Sequence, residues 1–166
     1  MTEPQQLGEF NGFEIYPMPM FATIAVADVS GVSAWYQNAL GFGVVFSAPA
    51  VGGQPAMVHL RRKKYQDLLI VPAPGGSGAP EAPAASPFTI SFSMDDGEVD
   101  TLAERARSAN PLGKAAMTGP VDTPWNTRDL RVTDPVGTRL VFTGRNPNAD
   151  PEQMKRMQAL LSAGKR

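Results

Sequence analysis

Cysteine is absent from this 166-residue chain, and histidine occurs once, as His59. Without thiols there are no disulfides, no thiolate metal sites and no cysteine nucleophile. Such a composition suits the reducing cytoplasm, which is the expected location. No run approaches the roughly 20 apolar residues that a membrane span requires, so no membrane partner is expected. The N-terminus lacks a basic stretch followed by an apolar core, so no signal peptide is expected. Neither charge dominates: 15 Lys and Arg face 16 Asp and Glu, for a net charge of −1. A balance this close to zero gives no field to attract nucleic acid or an anionic membrane. What remains is an ordinary globular chain, 42% apolar, with 16 glycines and 16 prolines that point to many turns and a loop-rich β content. The length fits one compact domain, or two small halves sharing a core.

Two stretches follow one plan. Met20-Phe-Ala-Thr-Ile-Ala-Val-Ala-Asp28 alternates as a strand and hands over to a helical segment ending in Leu40-Gly-Phe42. Phe88-Thr-Ile-Ser-Phe-Ser-Met-Asp-Asp96 does the same before a helix through Ala109. The first helix is capped by Asp28 or Ser30, carries Val32, Trp35, Tyr36 and Leu40 at helical spacing, and stops at Gly41. Short strands are expected near 43–48, 56–62 and 65–71, then near 114–119, 127–133 and 138–143. The order is β-α-β-β-β, twice. We divide the chain into an N-terminal arm (1–19), a first module (20–71), a Pro/Gly/Ala linker (72–87), a second module (88–145) and a C-terminal segment (146–166). The last contains an amphipathic helix at 151–163, with Met154, Met157, Leu160 and Leu161 as its apolar stripe. Arg61-Arg-Lys-Lys64 reads as a solvated hairpin turn in preference to an anion patch.

This order resembles the vicinal oxygen chelate superfamily of glyoxalases, extradiol dioxygenases, fosfomycin resistance enzymes and bleomycin resistance proteins. The resemblance rests on Ile24-Ala-Val-Ala-Asp28, Trp35-Tyr36, Leu40-Gly-Phe42, Phe92-Ser-Met-Asp-Asp96, Trp125-Asn-Thr-Arg-Asp129 and Asp134-Pro-Val-Gly137, and covers about residues 20 to 145. It implies an α+β fold: tandem βαβββ modules forming a curled mixed sheet around a central crevice, with a C-terminal helix, often in a homodimer.

The family's metal enzymes hold a divalent ion with His, Gln or Glu from the first and last strand of each module. The matching positions here are Phe21, Thr89, Val141 and the run Leu68-Leu-Ile70. Hydrocarbon side chains have no lone pair to give, and a single Thr hydroxyl is a poor ligand. One histidine and no cysteine cannot build the usual three-ligand catalytic site. No metal or other cofactor is therefore expected.

Period two places Phe21, Thr23 and Ala25 on the crevice face of one opening strand, and Thr89, Ser91 and Ser93 on that of the other. Such a face leaves volume and offers hydroxyls, which suits a bulky, partly planar small molecule; equally, small residues simply let two sheets approach. Trp125 is the leading contact residue, because it lies outside any core periodicity and presents a flat indole for stacking; the competing reading is an edge aromatic that covers the core. Phe46 is a wall candidate. His59 lines the pocket or serves a structural role, and with no orienting carboxylate identified beside it, it is not read as a general base. Arg128 faces the crevice or forms a surface pair. The expected ligand-binding set is thus Trp125, Phe21, Thr89, Ser91, Phe46, His59 and Arg128, with no catalytic residue.

Three functions compete. The first is a non-catalytic binder that sequesters a bulky aromatic antibiotic or metabolite. The second is a metal-dependent lyase or dioxygenase of the glyoxalase type, which requires His59 to converge with carboxylates such as Asp67, Asp95 or Asp129. The third is an interaction module that uses its aromatic arm and Met-rich tail.

Overall fold

The computed structural model describes residues 9–74, 87–152, 155 and 159. The two repeats form two four-stranded sheets of the same design. In the first, β3 (Ala22–Val26) pairs in parallel with β8 (Asp67–Pro72), and β7 (Val58–Arg61) and β4 (Gly43–Ser47) follow in antiparallel order. In the second, β9 (Thr89–Ser93) pairs in parallel with β12 (Arg139–Arg145), followed by β11 (Thr127–Thr133) and β10 (Ala116–Asp122). Helix α1 (Val29–Leu40) joins β3 to β4, and α2 (Glu98–Ser108) joins β9 to β10. A parallel pair between the first and last strand of a module needs a helical crossover, which α1 and α2 supply. The expected β-α-β-β-β order is present in both halves.

Alternation decides which face is buried. Ile24 and Val26 of β3 and Phe92 of β9 enter the core, while Thr23, Ala25, Thr89, Ser91 and Ser93 stay exposed on the opposite face. Asp28 caps α1 by accepting the Gly31 N–H at 2.8 Å. Gly41 ends the helix in the left-handed conformation, φ 72°, where a side chain would be strained. Helix α2 has no side-chain cap, but Glu98 and Asp100 stand at its N-terminus and Arg105 and Arg107 at its C-terminus, as the helix dipole favours.

One apolar cluster serves both sheets. A chain of rings crosses it: Tyr36 meets Phe42 at 5.4 Å, Phe42 meets Phe92 at 5.7 Å, and Phe92 stacks on Phe142 at 5.1 Å. The Tyr36 hydroxyl donates to Asp134 at 2.8 Å, with both residues fully buried. Burial first, and the Asp134 charge second, push this phenol well above its ordinary pKa. The other Asp134 oxygen accepts the N–H groups of Val136 and Thr138 and so fixes the hairpin turn after β11.

The basic run is corrected. Arg61 is buried against Asp67, Arg62 lies over the Phe142 ring, Lys63 pairs with Asp95 and Glu98, and Lys64 pairs with Glu14. These side chains tie the first module to the second and to the arm; the hairpin turn between β7 and β8 is present as expected, but of the four only Lys64 is exposed. Two hairpins were not expected from the strand pattern. β1 (Glu9–Phe10) and β2 (Phe13–Glu14) turn at Asn11-Gly12, with φ of 51° and 76°. β5 (Ala50–Val51) and β6 (Gln54–Pro55) turn at Gly52-Gly53. Gln54 then accepts the Val29 N–H at 2.7 Å and donates to the Ala27 carbonyl at 2.9 Å, which completes the N-terminus of α1. Most of the linker lies outside the described residues. In the C-terminal segment Pro151, Glu152, Lys155 and Ala159 are helical, and the Met154, Met157, Leu160 and Leu161 stripe lies outside the described residues. No helix among the described residues is long and apolar enough to cross a membrane.

Candidate functional site

The strand faces turned away from the helices carry three hollows. The widest, about 560 Å³, lies at the seam where β3 and β9 approach. Phe21, Thr89 and Ser91 line it together, joined by Met20, Tyr65 and Phe88. Its rim is unusually apolar for surface: Met20 is 81% exposed, Phe88 77% and Phe21 45%. The opening strand of each repeat is an edge strand, and residues of both line this hollow.

The second hollow, about 400 Å³, lies over the first sheet beneath the arm and contains Phe46 and His59. Phe46 reaches His59 through a β-bulge: Val44 pairs with Leu60 and Phe46 with His59, so Val45 is the extra residue. The arm supplies Phe10, Ile15, Tyr16 and Met18, with Phe10 6.1 Å from the Phe46 ring. Beneath lies a buried cluster around Asp67. Its carboxylate accepts from His59 Nε2 at 2.7 Å, Arg61 Nε at 2.6 Å and the Tyr16 hydroxyl at 2.9 Å. Burial raises the pKa of the Asp67 carboxyl, but these three donors outweigh it and hold the group below the usual carboxylate range. Tyr16 is pushed up to about 12, by burial first and by Asp67 after it. Arg61 also donates to the Glu14 carbonyl at 2.6 Å and lies 4.1 Å from the Tyr16 ring centroid. The expectation that His59 lacks an orienting carboxylate is thus corrected. Asp67 is its cross-hairpin neighbour, because Arg61 pairs with Asp67 and His59 with Leu69 in one register.

The third hollow, about 340 Å³, lies on the second sheet and holds Thr89, Thr118, Thr133, Arg131, Arg139 and Val141. The two arginines are absent from the residues expected on the crevice face, where Arg128 was the one arginine considered. Their parity with Val141 was the available signal: Arg131 pairs with Val141 and Thr133 with Arg139, so all four share a face.

Two expected site residues lie apart from these hollows. Trp125 stands 59% exposed at the turn between β10 and β11. Arg128 points to the helix side of its sheet, not into the crevice. It alternates with Asp129, and it makes a two-pronged pair with Asp100 of α2 and a further bond to Asp122. Those carboxylates raise the Arg128 pKa, through hydrogen bonds first and charge second.

Phe21 and Thr89 line the seam, Val141 stands on β12 opposite Ser91, and Leu69 stands on β8 opposite Thr23. Three hydrocarbons and one hydroxyl do not fit a divalent cation. The alternative ligands do not converge either. His59 meets Asp67, but Asp95 pairs with Lys63, and Asp129 accepts from Thr127 and Thr143 on the other sheet. Among the described residues no group of three His, Cys, Asp or Glu side chains is placed to hold a metal.

Solved structures with this fold include a bleomycin resistance determinant encoded on the transposon Tn5, at 21% identity over 76% of this chain and 96% of that one, TM-score 0.55. TnmS3, an antibiotic binding protein from Streptomyces sp. CB03234, is 21% identical over 75% of this chain and 93% of that one, TM-score 0.55. The fosfomycin resistance protein FosX from Listeria monocytogenes, complexed with Mn(II) and sulfate, is 15% identical over 83% of this chain and 95% of that one, TM-score 0.57. No curated protein matches the chain. The model of the Glyoxalase/Bleomycin resistance protein/Dioxygenase superfamily matches residues 20–142, and the chain belongs to that superfamily.

Proposed function

We propose that this protein is a non-catalytic binder that sequesters a bulky aromatic small molecule at the seam between its two sheets. One observation carries the reading: where the family's metal enzymes present chelating groups, this chain presents Phe21, Thr89, Leu69 and Val141, and the first two line an open hollow of about 560 Å³. That volume suits a drug-sized molecule. Its apolar walls and scattered hydroxyls suit a planar ring system with a few polar substituents. The antibiotic-binding and bleomycin-resistance proteins that share the fold add support. In this reading Phe21, Thr89 and Ser91 make first contact, and Phe46 and His59 form a separate wall beneath the arm. Trp125 and Arg128 are assigned no contact within one chain. A second copy seated at the apolar rim would close the hollow, so a cytoplasmic homodimer belongs to the proposal.

Calorimetric titration with a panel of planar aromatic antibiotics tests it. We expect saturable binding by at least one of them, weakened roughly tenfold by Phe21→Ala, the loss of one aromatic contact. Absence of saturable binding across the panel, or a stoichiometric divalent ion in protein purified without a metal-affinity tag, would refute the reading. Light scattering reads the oligomeric state.

A further inference from the structure

We propose that the ligand carries an acidic group and that Arg131 and Arg139 bind it. This rests on the binding role proposed above and names the chemistry of the molecule bound. The first ground is the partner census. Arg61, Arg62, Lys63, Lys64 and Arg128 each meet a carboxylate, and Arg105 and Arg107 meet backbone carbonyls. Among the described residues Arg131, Arg139 and Arg145 meet neither, and of these three Arg131 and Arg139 line one hollow.

The second ground is placement. Arg131 pairs across the sheet with Val141 and Arg139 with Thr133, so the arginines are diagonal neighbours on one face. Diagonal positions lie roughly 7–8 Å apart, within reach of a single anion for side chains of this length. Like charges so placed repel when the face is empty and are relieved when an anion enters. Asp129, the carboxylate on the Arg131 strand, is buried and accepts the hydroxyls of Thr127 and Thr143.

The third ground is continuity. The arginines line the hollow on the second sheet with the hydroxyls of Thr89, Thr118 and Thr133, and Thr89 also lines the seam hollow. One molecule can therefore lay its rings against Phe21 and Tyr65 and extend an oxyanion past Thr89 to the two guanidinium forks. Carboxylate, sulfonate and phosphate share the geometry that these forks match. A neutral or cationic ring system gains nothing from them.

A matched pair of dyes separates this inference from the reading beneath it. 8-Anilinonaphthalene-1-sulfonate and N-phenyl-1-naphthylamine share one ring system and differ by the sulfonate. With the full chain at low salt, the sulfonated dye is expected to bind roughly tenfold more tightly. The preference should collapse in about 1 M salt, where the screening length is about 3 Å. It should also vanish in the Arg131→Gln, Arg139→Gln double variant, with the affinity for the neutral dye unchanged, and persist in Arg128→Gln. Equal affinity for the two dyes in the natural protein, or a preference that survives in the double variant, would overturn the inference while leaving the aromatic site in place. Failure of both dyes to bind would overturn both proposals.

Discussion

Replacing Asp67 by Asn is the most informative perturbation of the cluster under the arm. The Asp67 side chain is fully buried, and Arg61 is only 4% exposed. Three donors converge on the carboxylate: His59 at 2.7 Å, Arg61 at 2.6 Å and Tyr16 at 2.9 Å. Asn keeps the volume but loses the charge, which leaves the Arg61 cation buried without its counter-ion. Breaking a buried pair from one side costs about 3–5 kcal/mol. At a urea slope of about 2 kcal/mol per molar, that lowers the unfolding midpoint by roughly 1.5–2.5 M. The Arg61→Met, Asp67→Leu double variant removes both charges together and should recover most of the loss, because paired desolvation largely cancels paired attraction. The pH dependence has a definite sign. The Asp67 pKa lies below its ordinary value of 3.8, so its contribution is complete above that pH and disappears as pH falls through the lowered value. The stability gap between the natural protein and Asp67→Asn should therefore narrow in acid. Urea denaturation followed by circular dichroism measures all three quantities. A midpoint shift under about 0.5 M for Asp67→Asn, or a double variant no more stable than the single, would refute the argument.

Two further outcomes are expected. Tyr36→Phe leaves one oxygen of the buried Asp134 without its donor and should cost about 2 kcal/mol in the same assay. Because the folded-state pKa of Tyr36 is raised, its contribution is complete below pH 10 and fades as pH climbs, so the variant should lose part of the alkaline instability of the natural protein; Tyr16, pushed up to about 12, acts in the same direction. Acrylamide should quench the emission of Trp125 strongly and that of Trp35 weakly, since they are 59% and 8% exposed; a Trp125→Phe variant whose remaining emission is still readily quenched would contradict this placement.

The elements that were legible in the sequence are those whose signals are local. The alternation of residues 22–26 and 89–93 and the helical spacing of Val32, Trp35, Tyr36 and Leu40 each specify one element and its buried side. The Asn11-Gly12 and Gly52-Gly53 hairpins carried turn signals of the same local kind, but their strands of two residues are too short to show a period. Contacts between distant residues were not legible. Counting charges in Arg61-Arg-Lys-Lys64 cannot reveal that Lys63 reaches Asp95 and Glu98 across the modules. His59 looked solitary because its carboxylate is eight residues away and becomes a neighbour only when β7 and β8 take their register. The same applies to Arg131 and Arg139. Each is unremarkable alone, and the pairing of β11 with β12 makes them a pair. Arg128 and Asp129 show the converse: adjacency in sequence sends them to opposite faces.

The line of rings from Tyr36 through Phe42 and Phe92 to Phe142 has a thermodynamic consequence. A repeated unit that kept its own interior would melt by itself, and a calorimeter would record two events. Here each half lends the other a wall, so neither can come undone without exposing the shared aromatic surface of its sibling. The repeat persists in the order of the strands, but the two halves share one interior: one endotherm is what such a molecule has left to give.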